Sequence, residues 1–455
     1  MKGNRTKFIL EGNMYRVLIT LSVPIMINSV IQTMYNLVDG IWVSKISSVH
    51  FAATSFVFPV NFLFIALGIG LSVAGTSILS QMVGAGRLSE GRKYSSQIIA
   101  VSALISVVFT AIGFILSPHI IRGMGGTGDI LKYGNIYLRI TFLELPFIFL
   151  FFNISAMRNA QGDTLTPMIL GGISALLNTI LDPIFIFVFN WGIAGAAWAT
   201  VFSRALLAGY GIKIIMDNSN PLKPNFKDFK FDKPILKEIA SVGFPATIGQ
   251  SGAAVGFIIL NGFIVSYGTA TMAAFGMVNR ITSLIMQPAM GIGAALTAVV
   301  GQNIGADKTH RAREAFNKAS VVTVVIGIIG CAFLLVFNRP LVNFFIQSKD
   351  DPRVITEGIT YMAYIAYTMP LMGIFSVFQG IFQGSGHTRY SMAMEVGRLW
   401  LIRIPMILIF KYFTSMGSVG IWISMSMSNL IIDIYGFYIY KKGEWSKGLL
   451  SITNS

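Results

Sequence analysis

The sequence predicts an all-α polytopic membrane protein, with twelve transmembrane helices in two six-helix lobes related by a pseudo-two-fold axis along the membrane normal. Three observations carry that prediction. Of 455 residues, 54% are apolar and only 12% are charged, where soluble domains average about 25% charged. The apolar residues gather into windows long enough to cross a hydrocarbon core of about 30 Å. The second half of the chain also repeats the first.

Residues 1–15 are polar and basic, with no short apolar core and cleavage site, so no signal peptide is expected. Apolar spans then fall near 16–45, 50–82, 94–116, 130–157, 166–189 and 193–216. Residues 217–235, DNSNPLKPNFKDFKFDKPI, mix proline, lysine and aspartate and read as a solvated linker. Six more spans follow near 236–266, 270–302, 315–338, 353–383, 390–414 and 417–441. The expected organisation is an N-lobe over 1–216, the linker over 217–235, a C-lobe over 236–441 and a tail over 442–455.

A shift of 221 residues places Pro24 on Pro245, Gly70 on Gly291 and QMVGA at 81 on QNIGA at 302. A shift of 224 places Gly134 on Gly358, Tyr137 on Tyr361, Pro146 on Pro370 and Gly162 on Gly386. Six helices per repeat leave both repeats in one orientation, so two bundles can rock about a site at their interface. That is the geometry of alternating access. Prolines within spans, among them Pro24, Pro59, Pro146, Pro183, Pro245, Pro288, Pro370 and Pro405, are expected to bend their helices.

The formal charge is +15, yet the basic residues form no polar domain suited to nucleic acid. They fall in alternate loops instead. One face holds Lys2, Arg5, Lys7, Arg16, Arg87, Arg92, Lys93, Arg158, the linker lysines, Lys308, Arg311, Arg389 and Lys441. The other is poorer, with Lys45, Arg122, Lys132, Arg339, Lys349, Arg353 and Lys411. The richer face is expected to be cytoplasmic, with both termini and the linker inside the plasma (inner) membrane. Cys331 is the only cysteine, and His50, His119, His310 and His387 are scattered, so no disulfide framework, no cofactor and no zinc or histidine-based catalytic centre is expected. A polytopic membrane enzyme lacks its constellation here.

Ionisable groups at membrane depth cost roughly 2.5–3.5 kcal/mol each even on the lenient insertion scale. Asp39, in YNLVDGIW, and Asp182, in NTILDP, are the leading candidates. Tyr35 precedes Asp39 by four residues and Asn178 precedes Asp182 by four, so each pair shares a helix face. Asn153 and Thr200 add neutral oxygens. Two carboxylates with such oxygens suit a shared proton or a hard monovalent cation such as Na+. The second repeat has no equivalent, since Asp39 falls on Leu260. Coupling is therefore expected in the N-lobe alone. In the C-lobe, Glu395 and Arg398 are spaced to neutralise each other, and Arg280 wants a partner such as Asp433.

The C-lobe is rich in methionine and phenylalanine, which suit varied organic cations. Met286, Met290, Met369, Phe375, Arg280 and Gln250 are the candidates for a substrate cavity.

SVPIMINSVIQTMYNLVDGIWVSKI, QMVGAGR, RNAQGDTLTPM and LLNTILDPIFIF together resemble the multidrug and toxic compound extrusion (MATE) transporters over essentially the whole chain. Asp39 and Asp182 with Asn178 and Thr200 look like the DinF-type branch. The resemblance implies two six-helix lobes around a V-shaped cavity, and export of cationic drugs in exchange for entering protons or sodium. It also implies that Asp39, Asn178, Asp182 and Thr200 form the N-lobe cation motif, with Tyr35 and Asn153 nearby. PATIGQSGAAVG carries Gln250 and no carboxylate, which departs from the NorM-type pattern. The expected function is thus secondary active multidrug efflux by H+ or Na+ antiport, performed by a monomer in the bilayer. The alternative in the same superfamily is a flippase of a lipid-linked precursor, which requires a basic cavity that the sequence does not display.

Overall fold

The computed structural model describes residues 3–345 and 352–449. Lys2 and Lys349, used above for orientation, lie outside the described residues, as does the end of the tail. Among the described residues every regular element is a helix.

A short helix, α1 (Gly3–Glu11), precedes α2 (Met14–Ser44), α3 (Ser48–Gly84) and α4 (Leu88–Gly123). Helices α5 (Gly128–Phe142) and α6 (Leu145–Ala160) form one span bent by 44°. Helix α7 (Leu165–Pro183) runs into a π-helical segment, Ile184–Val188, and α8 (Ile193–Met216) completes the first set.

The second set repeats the plan with α9 (Lys233–Val265), α10 (Thr269–Gly305), α11 (Thr309–Val336) and a short α12 (Asn338–Phe345). Helices α13 (Pro352–Ala366) and α14 (Met369–Gly384) are bent by 52°. Then come α15 (Thr388–Val396), a π-helical segment Gly397–Arg403, α16 (Ile404–Phe413) and α17 (Val419–Lys442). Among the described residues nine helices, α7 counted with its π segment, are long and apolar enough to cross a bilayer, and the two bent pairs make eleven. The continuous run from α15 through α16 corresponds to the span expected at 390–414 and brings the total to twelve.

Proline chemistry explains the breaks only in part. Pro146 and Pro370, repeat-related, sit in the first turn after each bend, where the missing N–H costs nothing. Pro183 and Pro405 adjoin the π segments. Pro24, Pro59, Pro245 and Pro288 lie inside uninterrupted α-helices.

The chain divides into two compact units. The first takes residues up to Thr6 and Ile27–Thr247, and the second takes Lys7–Met26 and the chain from Ile248 onward. All three boundaries fall inside helices, one in α1 and the other two in α2 and α9, two residues after the repeat-related Pro24 and Pro245. Glycine permits the close contacts there. In the first unit a Cβ on Gly70 of α3 would stand 2.6 Å from backbone atoms of Thr247. In the second unit the repeat-related Gly291 of α10 lies against Met26. The first unit's core gathers around Val57, Leu138, Phe142 and Phe149. The second has two clusters, one on Phe378, Phe382 and Trp445 and one on Tyr361, Met369 and Trp422.

The connecting segment is largely exposed and is also seated on α4 through a few specific contacts. Ser96 Oγ donates to Asn225 O (3.0 Å) and accepts from Asn225 N (2.8 Å), and Gln97 Nε2 donates to Lys230 O (2.7 Å). Arg92 Nε donates to Pro221 O (3.0 Å), and Leu222 is fully buried. Side chains on α4 thus satisfy linker backbone groups that would otherwise need water.

Candidate functional site

The first unit brings four of the sequence-predicted residues into one hydrogen-bonded cluster. Thr200 of α8 is its bridge. Its hydroxyl lies 3.2 Å from the Tyr35 hydroxyl of α2 and accepts from Asn178 Nδ2 of α7 at 3.3 Å. Asn178 Nδ2 also approaches Asp182 Oδ1 at 3.3 Å, along the helical spacing that the sequence displays. Asn178, Asp182 and Thr200 are all buried. Asp39, one turn beyond Tyr35 on α2, is within electrostatic reach of Asp182.

The unpaired atoms define what the cluster lacks. Asp39 Oδ1, Asp182 Oδ2 and Asn178 Oδ1 are buried acceptors with no donor. Neither aspartate has a salt-bridge partner among the described residues, because the nearby guanidinium is committed elsewhere. Arg204 of α8 pairs with Glu144 at 3.3 Å, approaches Gln32 Oε1 at 3.5 Å and lies 5.6 Å over the Tyr35 ring. Asp182 is fully buried and Asp39 half-buried, each with one carboxylate oxygen lacking a donor, an arrangement whose chemistry suits a proton or a monovalent metal ion.

Glu144 and Arg204 form a buried ion pair that the sequence does not display. Glu144 lies in the bend between α5 and α6 and Arg204 on α8, and no periodicity relates them. Gln32 and Tyr137 were missed as neighbours of the site; Tyr137 of α5 lies within reach of both aspartates and Tyr35. Its match to Tyr361 in the repeat was the one available signal. Asn153 stands apart, with Oδ1 buried and unpartnered, lining a cavity of about 320 Å³ with Ile99, Ala103 and Ile212. Among the described residues no group of three His, Cys, Asp or Glu is placed to hold a metal ion.

In the second unit the substrate candidates scatter. Met286 and Met369 are packed inside the core, while Met290 and Arg280 are exposed. Gln250 is half-buried, and Phe375 lies 4.3 Å beneath the Arg398 guanidinium. Arg280 does not pair with Asp433, whose two oxygens are both buried without partners. Arg398 pairs with Glu395 at 3.2 Å, as its spacing predicted. Arg403 is held by neutral groups, Ser428 Oγ (2.9 Å) and Asn429 Oδ1 (3.0 Å).

Two repeat-related helical units, one carrying an unpaired acid cluster at membrane depth, define a polytopic transporter. The MatE family pattern matches residues 24–184 and 245–409, one stretch in each repeat. The chain belongs to this family and is a membrane transporter rather than an enzyme. It is 28% identical to the probable multidrug resistance protein YpnP of Bacillus subtilis (strain 168), covering 96% of each chain. Against the multidrug export protein MepA of Staphylococcus haemolyticus (strain JCSC1435) identity is 25%, over 97% of this chain and 96% of the relative. The crystal structure of a MATE in complex with MaL6 is similar at a TM-score of 0.90 and 26% identity, covering 96% of this chain and 98% of that one.

Proposed function

We propose that this protein is a secondary active multidrug exporter, which moves organic cations outward across the plasma membrane in exchange for protons or Na+. The observation that carries this reading is the set of three donorless acceptor oxygens on Asp39, Asn178 and Asp182. A cation entering the cluster satisfies them, and its departure leaves the two carboxylates facing each other without compensation. Differential stability of loaded and empty states is what drives alternation. The multidrug resistance and export relatives support the substrate class. In this reading the chain works as a monomer, with both termini and the connecting segment cytoplasmic.

A flippase of a pyrophosphate-linked precursor finds less support. Such a cavity needs free cations, and Arg204 and Arg398 are each already neutralised by a glutamate. Efflux of a fluorescent organic cation from proteoliposomes, with pH and Na+ gradients imposed separately, tests the proposal. Stimulation by one gradient names the ion; indifference to both refutes antiport.

A further inference from the structure

The connecting segment that docks on α4 interleaves basic and aromatic residues as Lys223, Phe226, Lys227, Phe229, Lys230 and Phe231. With α4 it lines an open cavity of about 700 Å³. Five cations line it: Arg92 and Lys93 from α4, and Lys223, Lys227 and Lys230 from the segment. Asp228 and Asp232 are the only acids among the lining residues, and Asp232 Oδ1 already accepts from Ile235 N (3.3 Å) at the start of α9. The cavity therefore carries an excess of positive charge.

A second cavity, of about 320 Å³ and almost wholly apolar, follows it along the same helix. Gln97 lines the first and Ile99 the second; Asn225 and Lys227 line the first, and Phe226 between them lines the second. The polar opening of α4, LSEGRKYSSQ, gives way at Ile98 to an apolar run, so the junction of the cavities coincides with the polar–apolar boundary of the span. Phe226 and Phe231 are exposed at that boundary beside the lysines, the composition of a segment that lies against anionic headgroups.

We infer that these two cavities form one binding site for an anionic phospholipid, whose phosphate-bearing head enters the basic cavity while an acyl chain runs along α4 past Ala103 and Val107. A soluble phosphate compound shares the head chemistry but leaves the apolar cavity without a ligand. Each lysine near an anionic surface contributes on the order of fivefold in affinity.

The test uses the purified full-length protein in detergent, titrated with phosphatidylglycerol, phosphatidylcholine and glycerol phosphate and read by native mass spectrometry. Phosphatidylglycerol is expected to be retained at least about tenfold more tightly than phosphatidylcholine. Lys223→Gln, Lys227→Gln and Lys230→Gln combined should weaken it roughly 100-fold. Ala103→Trp, which fills the apolar cavity and leaves every charge in place, should weaken phosphatidylglycerol and leave glycerol phosphate unchanged. Equal retention of the two lipids, or an unaltered affinity in the triple variant, overturns the proposal. So does glycerol phosphate binding as tightly as phosphatidylglycerol, which would assign the cavity to a soluble anion.

Discussion

At the scale of single residues, the pairing of Glu144 with Arg204 keeps the cluster electrically legible. Both side chains are buried, so removing one partner strands the other. Glu144→Gln is expected to destabilise the protein by about 3–5 kcal/mol, and adding Arg204→Met should recover most of that loss. Thermal unfolding of the single and double variants in detergent checks it. Thr200 bridges Tyr35 and Asn178 through one hydroxyl. Thr200→Val removes the hydroxyl's bond to Ala196 O and the two neutral hydrogen bonds to the cluster, each of the latter contributing about 1 kcal/mol. The half-saturating concentration of the coupling ion should therefore rise roughly 5- to 30-fold, with little change in the transport rate at saturation. The members of this cluster were visible in the sequence because spacing of four puts Tyr35 with Asp39 and Asn178 with Asp182. The Glu144–Arg204 pair was not, since helix packing over 60 positions leaves no periodic trace.

At the scale of elements, the repeat places chemically different residues in one backbone conformation. Gly86 (φ 71°) and Asp307 (φ 57°), related by the shift of 221, both occupy the left-handed region after the QMVGA and QNIGA helix ends. Only glycine enters that region freely. Asp307→Gly should raise stability by about 0.5–1 kcal/mol, and Gly86→Val should lower it by about 1–2 kcal/mol, as read by melting temperature.

His387, in the turn before α15, is pushed below the ordinary histidine range by burial, with the Ser385 backbone opposing. Its neutral ring is favoured in the fold, so stability is full above the unfolded value and is lost as pH falls through the folded one. Melting temperature should drop more steeply between pH 7 and 5 in the wild type than in His387→Gln.

Apolar windows located the spans well, because every one must bury its backbone in its own hydrogen bonds. They did not anticipate the docking of the connecting segment. That contact depends on Ser96 and Gln97 of α4 meeting particular carbonyls of Asn225 and Lys230, a match no composition reveals.

At the scale of the whole molecule, the sequence asymmetry between repeats becomes a difference in how the two units hold their buried charges. The first unit holds the compensable acid cluster; the second holds paired or neutrally partnered arginines and a core of methionine and aromatic side chains. On the proposed antiport the ion falls to the first unit, while the second unit's methionine and aromatic side chains are packed in its core. Asp433 is the exception, an unpartnered buried acid in the second unit. The most direct measurement is gradient-driven export in proteoliposomes by wild type, Asp39→Asn, Asp182→Asn and Asp433→Asn. The account predicts that the first two variants lose gradient stimulation while Asp433→Asn keeps it. Full gradient-driven export by Asp39→Asn or Asp182→Asn would contradict it.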